Sequence, residues 1–165
     1  MSRLVVVLPL APLQQGERFE VAEWPLHITV LPPFLTQAKP EHITSVLEGI
    51  ASACGPIVGV ADEDALFGRR HNIPVTVMAP NAALTQLHRA LIEALRPFGA
   101  EPDEPAFTGN SFRAHVTVKG ERRIHPGDTV HLTQLALVDM VPRHDGGRTV
   151  LAVFPLGDPE RTELS

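Results

Sequence analysis

The side chains best suited to chemistry are two histidines and two threonines, set in the sequence as His27-Ile28-Thr29-Val30 and His115-Val116-Thr117-Val118. An unperturbed imidazole has a pKa of ~6.5, so it exchanges protons near neutrality. One of the pair can accept a proton from water while the other delivers one to a departing ribose oxygen, each transfer being worth about 10²–10⁴ in rate. The pattern does not fix which histidine is acid and which base, because the roles exchange with the position of the leaving oxygen. Threonine hydroxyls two residues along can hydrogen-bond non-bridging phosphate oxygens, and Arg113 and Lys119 can offset charge that builds up there. A phosphodiester, above all a strained cyclic one, calls for this equipment. Acyl transfer fits poorly, since neither histidine has a serine elbow near it in sequence.

His-x-Thr alone is a weak signal, for it occurs four times. His42-Ile43-Thr44 falls in a predicted helix, where residues two apart point about 200° apart and cannot share a target. His131-Leu132-Thr133 lies in a predicted strand, yet Gln134 replaces the apolar residue that follows threonine in the other two copies, and no basic residue shares its face. At 27 and 115 the alternation is strict. His27 and Thr29 face one way with Leu26, Ile28 and Val30 behind them; Arg113, His115, Thr117 and Lys119 line one face with Phe112, Ala114, Val116 and Val118 behind. A half-buried strand is polar on one side merely because that side meets water, but a matched pair of such strands can present both imidazoles to one small substrate. Among the other histidines, His71 sits in a basic turn, His88 on or beside the apolar face of a helix, and His125 and His144 in loops. None has metal-ligand spacing and Cys54 is the single cysteine, so neither a metal nor a cofactor is expected.

The elements that must position these residues follow from patterning. Leu4 to Leu10 is continuously apolar and reads as a central strand, followed by a loop from Ala11 to Glu23. The first His-Thr strand is closed by Pro32-Pro33. Pro40 opens a helix whose apolar residues are Ile43, Val46, Leu47, Ile50 and Cys54, and Gly55 stops it. Strands are expected at Ile57 to Phe67 and Ile73 to Met78, around a turn at 68–72. Asn81 caps a second helix with Leu84, Leu87, Leu91 and Leu95 on its core face. Glu101 to Pro105 is an acidic connector, the second His-Thr strand runs from Phe112 to Lys119, and strands at Val130 to Val141 and Thr149 to Phe154 flank a turn at Asp145-Gly146-Gly147. Each half thus holds one His-Thr strand, one helix and flanking strands. The expected fold is α+β and bilobal: two pseudo-symmetric antiparallel-sheet lobes with helices on the outside and a central cleft. Residues 1–156 form the single domain and 157–165 a polar C-terminal tail.

Composition sets the outer bounds. A chain of 165 residues, 44% apolar and 20% charged, is ordinary for a soluble globular protein. Its net charge of −5 argues against coating long duplex nucleic acid, so phosphate must be met by a local basic pocket. No stretch approaches the ~20 apolar residues of a membrane helix, and cysteine usage fits a reducing, cytoplasmic compartment.

The two motifs, 88 positions apart (115 − 27), with Pro25-Leu26 before the first, Pro32-Pro33-Phe34 after it and Phe112 ahead of the second, resemble the two-histidine phosphoesterase superfamily, most closely its 2′-5′ RNA ligase branch. The resemblance spans about residues 3–156. It implies metal-independent action on 2′,3′-cyclic phosphate or 2′-5′ linked ends of RNA or nucleotides, with His27 and His115 as the acid–base pair and Thr29, Thr117, Lys119 and Arg113 holding the phosphate. The expected partner is therefore an RNA end or a small cyclic nucleotide. This chain departs from the family in Ala114, where proline commonly precedes the second histidine, and in Lys119, where arginine is common. There is no tyrosine, so base stacking falls to Trp24, Phe34, Phe67 or Phe112, with Trp24 and Phe34 the leading pair. Two alternatives stand beside this reading: the same chemistry on a small cyclic phosphate such as an ADP-ribose derivative, and a non-catalytic nucleotide-binding module.

Overall fold

The computed structural model describes residues 2–99, 112–140 and 147–157. Its strands are β1 (Ser2–Pro9), β2 (Arg18–Glu20), β3 (His27–Thr36), β4 (Ile57–Phe67), β5 (Ile73–Met78), β6 (His115–Thr117), β7 (Thr129–Leu132), β8 (Gln134–Asp139) and β9 (Gly147–Pro155), with helices α1 (Pro40–Ala53) and α2 (Ala82–Leu95). Among the described residues the strands form one nine-stranded sheet in the order β2-β9-β8-β1-β3-β6-β5-β4-β7, and every pairing is antiparallel. The two halves expected from the sequence meet at its middle, where β3 pairs with β6.

Each face of the sheet has its own apolar layer. Leu4, Val6 and Leu8 of β1, Ile28 and Val30 of β3, and Val116 of β6 pack with Ile43 and Leu47 of α1 and Leu84, Leu87, Leu91 and Leu95 of α2. That layer holds the largest buried side chains and is the main core. On the opposite face, Val5, Val7, Trp24, Ala136, Val138 and Val150 form a second cluster, and Phe67, Val75 and Val77 a third. β1 contributes to both sides, which is why its sequence is apolar without alternation. The helices begin as their sequences require. Pro40 occupies the first turn of α1, where its missing N–H is not needed. The Asn81 side chain accepts a hydrogen bond from the Leu84 N–H at 3.1 Å and donates one to the Val58 carbonyl at 3.0 Å, capping α2 while tying it to β4.

Four expectations are corrected. The stretch 11–23 is not all loop, since Arg18–Glu20 pairs with β9 and Val21–Glu23 makes a 3-10 turn. β3 is not closed by its prolines but runs through them to Thr36. The register against β1 shifts between Leu4 and Val6, and β6 pairs only at Ile28, so Pro32 and Pro33 sit where no ladder donor is needed. The second His-Thr strand is shorter than expected, covering His115–Thr117. Finally, the strand expected at Val130 to Val141 is two strands broken at Thr133: β7 lies at one end of the sheet and β8 third from the other. A single residue between them spans at most about 7 Å, so the sheet curls until its β4–β7 end returns to β8. Leu132 and Leu135 meet in the main core accordingly. The connector at 101–105, residues 141 and 145–146, and residues 158–165 of the expected tail lie outside the described residues.

Candidate active site

The pairing of Ile28 with Val116 fixes the geometry of the site. In an antiparallel pair this register sets His27 opposite Thr117 and Thr29 opposite His115, with all four side chains on the face away from the helices. The histidines are therefore diagonal to one another, each across from the other motif's threonine. Their neighbours on the flanking strands are apolar: Pro9 and Val7 stand opposite His27 and Thr29, and Val77 and Val75 opposite His115 and Thr117.

Both rings are held in the same way. Nδ1 of His27 donates to the Pro25 carbonyl at 2.8 Å, and Nδ1 of His115 donates to the Arg113 carbonyl at 2.8 Å. A carbonyl only accepts, so Nδ1 carries the proton and Nε2 is left to exchange one. An aromatic side chain packs on each ring: Trp24 is stacked on His27 at 4.1 Å between centroids, and Phe67 meets His115 edge-on at 4.7 Å. A guanidinium lies over each aromatic in turn, Arg148 over Trp24 at 5.6 Å and Arg113 over Phe67 at 5.1 Å.

Electrostatics keep both imidazoles neutral at pH 7. Burial lowers the pKa of His27 to about 4, with the charges of Lys119 and His115 adding to the effect against the raising influence of the Pro25 hydrogen bond. Burial also lowers that of His115, helped by Arg113. Lys119 is itself lowered, first by burial and then by Arg122 and Arg148. Neutral Nε2 atoms on two anchored rings can accept protons, and a bound anion raises their affinity for them. Among the described residues no group of three His, Cys, Asp or Glu side chains converges to hold a metal ion.

The model of the 2′-5′ RNA ligase superfamily matches residues 7–131, three-quarters of the chain and both motifs. The chain belongs to the 2′-5′ RNA ligase superfamily. Its members are two-histidine phosphoesterases, and solved structures agree on the fold. A protein described as a phosphoesterase superposes with a TM-score of 0.61 at 19% identity, covering 95% of this chain and 99% of that one. E. coli LigT complexed with 3′-AMP gives 0.57 at 17%, covering 94% and 98%, and a Thermus thermophilus protein, TT0787, gives 0.59 at 16%, covering 94% and 99%. No curated protein sequence matches significantly.

Within this superfamily fold, the residues expected to act on phosphate are distributed unevenly. His27, Thr29, His115 and Thr117 come together on adjacent strands, and Lys119 continues the same face close enough for its charge to act on His27. Arg113 shares the face but is turned to Glu63 at 3.6 Å as well as to Phe67. The stacking expectation is corrected for Phe34 and Trp24. Phe34 is fully buried in the main core, because it faces the helix side of β3, and offers a base no surface. Trp24 is only 7% exposed, its ring occupied by His27, Phe19 and Arg148. His42 is exposed on α1 and His131 exposed on the end strand β7, paired with Val58. His88 is completely buried: Nδ1 donates to the Val30 carbonyl at 2.8 Å and the ring stacks on Phe112 at 4.0 Å. Sequence reasoning missed Arg122, Arg148 and the Pro25 and Arg113 carbonyls. Arg148 stands in a segment remote from either motif, Arg122 follows the second motif only across a turn that breaks its alternation, and a backbone carbonyl leaves no mark in a sequence.

Proposed function

We propose that this chain is a metal-independent cyclic phosphodiesterase, acting on 2′,3′-cyclic phosphate or 2′-5′ linked ends of RNA or nucleotides by His-His acid–base catalysis. The observation that carries this reading is the diagonal pair of imidazoles, each tethered at Nδ1 and each facing the other motif's threonine. A phosphate seated between them meets two Nε2 atoms and two hydroxyls. One Nε2 removes a proton from water as it attacks phosphorus. The other, protonated once the anion is bound, gives its proton to the leaving ribose oxygen. Thr29 and Thr117 hold the non-bridging oxygens and Lys119 offsets their charge; Arg113 joins only by leaving Glu63. The LigT complexes with 3′-AMP, ATP and NADP+ support a nucleotide as the bound group.

The test is incubation of the pure chain with nucleoside 2′,3′-cyclic phosphates, with and without chelator, and identification of the product as the 2′- or 3′-phosphate. Turnover that ignores chelator and yields a single regioisomer is expected. No hydrolysis at any pH alongside nucleotide binding would instead support a non-catalytic binding module.

A further inference from the structure

Positive charge is compensated differently at the two ends of the site. At the Arg113 end, Glu63 pairs with the guanidinium. At the other end, Lys119 and Arg122 stand directly opposed across the turn Lys119-Gly120-Glu121-Arg122, which closes by backbone hydrogen bonds of 2.9 and 3.0 Å with Gly120 at φ +65°. Like charges placed opposite one another repel. Glu20, Glu23 and Glu121 occupy the neighbouring segments, yet among the described residues neither Lys119 nor Arg122 has a carboxylate within ion-pair distance. The arrangement is also braced. The Arg122 guanidinium donates to the Ala22 carbonyl at 3.1 Å, while the next residue, Arg123, is clamped to Asp64 and Thr76. Arg148 adds a third cation over Trp24, the ring that is stacked on His27. Lys119 and Arg122, held beside the Trp24–His27 unit, make a local anion trap on a chain whose net charge is −5.

We propose that Arg122, with Lys119 opposite it across the turn, forms a second anion subsite that takes a phosphate on the ribose 5′ oxygen of the same substrate. The identity of that substrate rests on the phosphodiesterase reading. Because the Arg113 end is already neutralised by Glu63, the substrate lies in one direction only, with its 5′ side towards the Lys119–Arg122 turn.

Calorimetric titration of the whole chain with adenosine 3′-phosphate and with adenosine 3′,5′-bisphosphate tests this without requiring turnover. One added charge-assisted phosphate contact makes the bisphosphate bind about tenfold more tightly. In Arg122→Gln that advantage shrinks below about threefold, and Arg122→Lys, which keeps the charge, restores most of it. Equal affinities in the unaltered chain, or an advantage that Arg122→Gln leaves intact, overturns the proposal. Preferential binding of the bisphosphate by a chain that hydrolyses no cyclic phosphate sustains the subsite and sinks the enzymatic reading alone.

Discussion

Each imidazole of the candidate site stands between two opposing demands: burial against apolar neighbours favours the neutral ring, and a phosphate favours the charged one. In the structure burial dominates and lowers the pKa of His27 to about 4. Inorganic phosphate or 3′-AMP is therefore expected to raise the His27 midpoint, and NMR titration of its ring protons with and without the anion measures this. Replacing His27 or His115 by alanine should cut turnover by about 10²–10⁴ each. His131→Ala should leave turnover near that of the unaltered chain, because that ring is exposed on an end strand; steady-state rates on a cyclic phosphate decide both. The four His-Thr residues were legible because strand alternation converts their spacing into one shared face. The supports of the rings were less so. Trp24 reads as a free aromatic in sequence, and only the fold shows its ring spent on His27.

At the scale of elements, the helices were the most legible parts, since a four-residue apolar repeat and a start signal are both local. Asn81 is the clearest case, and Asn81→Ala should lower stability by about 1 kcal/mol in urea denaturation through loss of the cap. Strands were harder to bound. The prolines of β3 argued for an end at Pro32, and whether a proline is tolerated depends on what the neighbouring strand asks of that position. β6 keeps only three residues in the ladder, yet those three bring His115 and Thr117 beside β3. Val116 anchors them from the core side at 1% exposure. Val116→Ala should therefore reduce turnover as well as stability, which parallel assays of rate and urea midpoint would separate from a purely global effect.

For the whole molecule, stability should depend on pH with a sign set by the histidines. His27, His88 and His115 all have lowered values in the folded chain. The unfolded chain takes up protons as pH falls below about 6.5 while the folded chain resists, so stability present above that pH is lost on acidification. For His27 the loss runs down to about pH 4, and each group held neutral contributes up to ~1.4 kcal/mol per pH unit within its own window. Urea midpoints at pH 7, 6, 5 and 4 trace the expected decline. The antiparallel α+β plan was legible from the repeated pattern of strand and helix, while the two expected lobes are joined in one sheet. The curl was not, because nothing local in the run from Val130 to Asp139 tells that Thr133 carries the chain from one end of the sheet to a strand near the other.

That crossing at Thr133 also bears on the order in which the protein can be made. Of the described strands β1 is made earliest, and it is one of the last to be flanked on both edges, since β8, its neighbour on one side, starts at Gln134. Until then a strand apolar from Leu4 onward waits with an open edge, a hazard for nascent chains that chaperones exist to manage. Translation must therefore proceed past Gln134 before β1 is sealed on both sides.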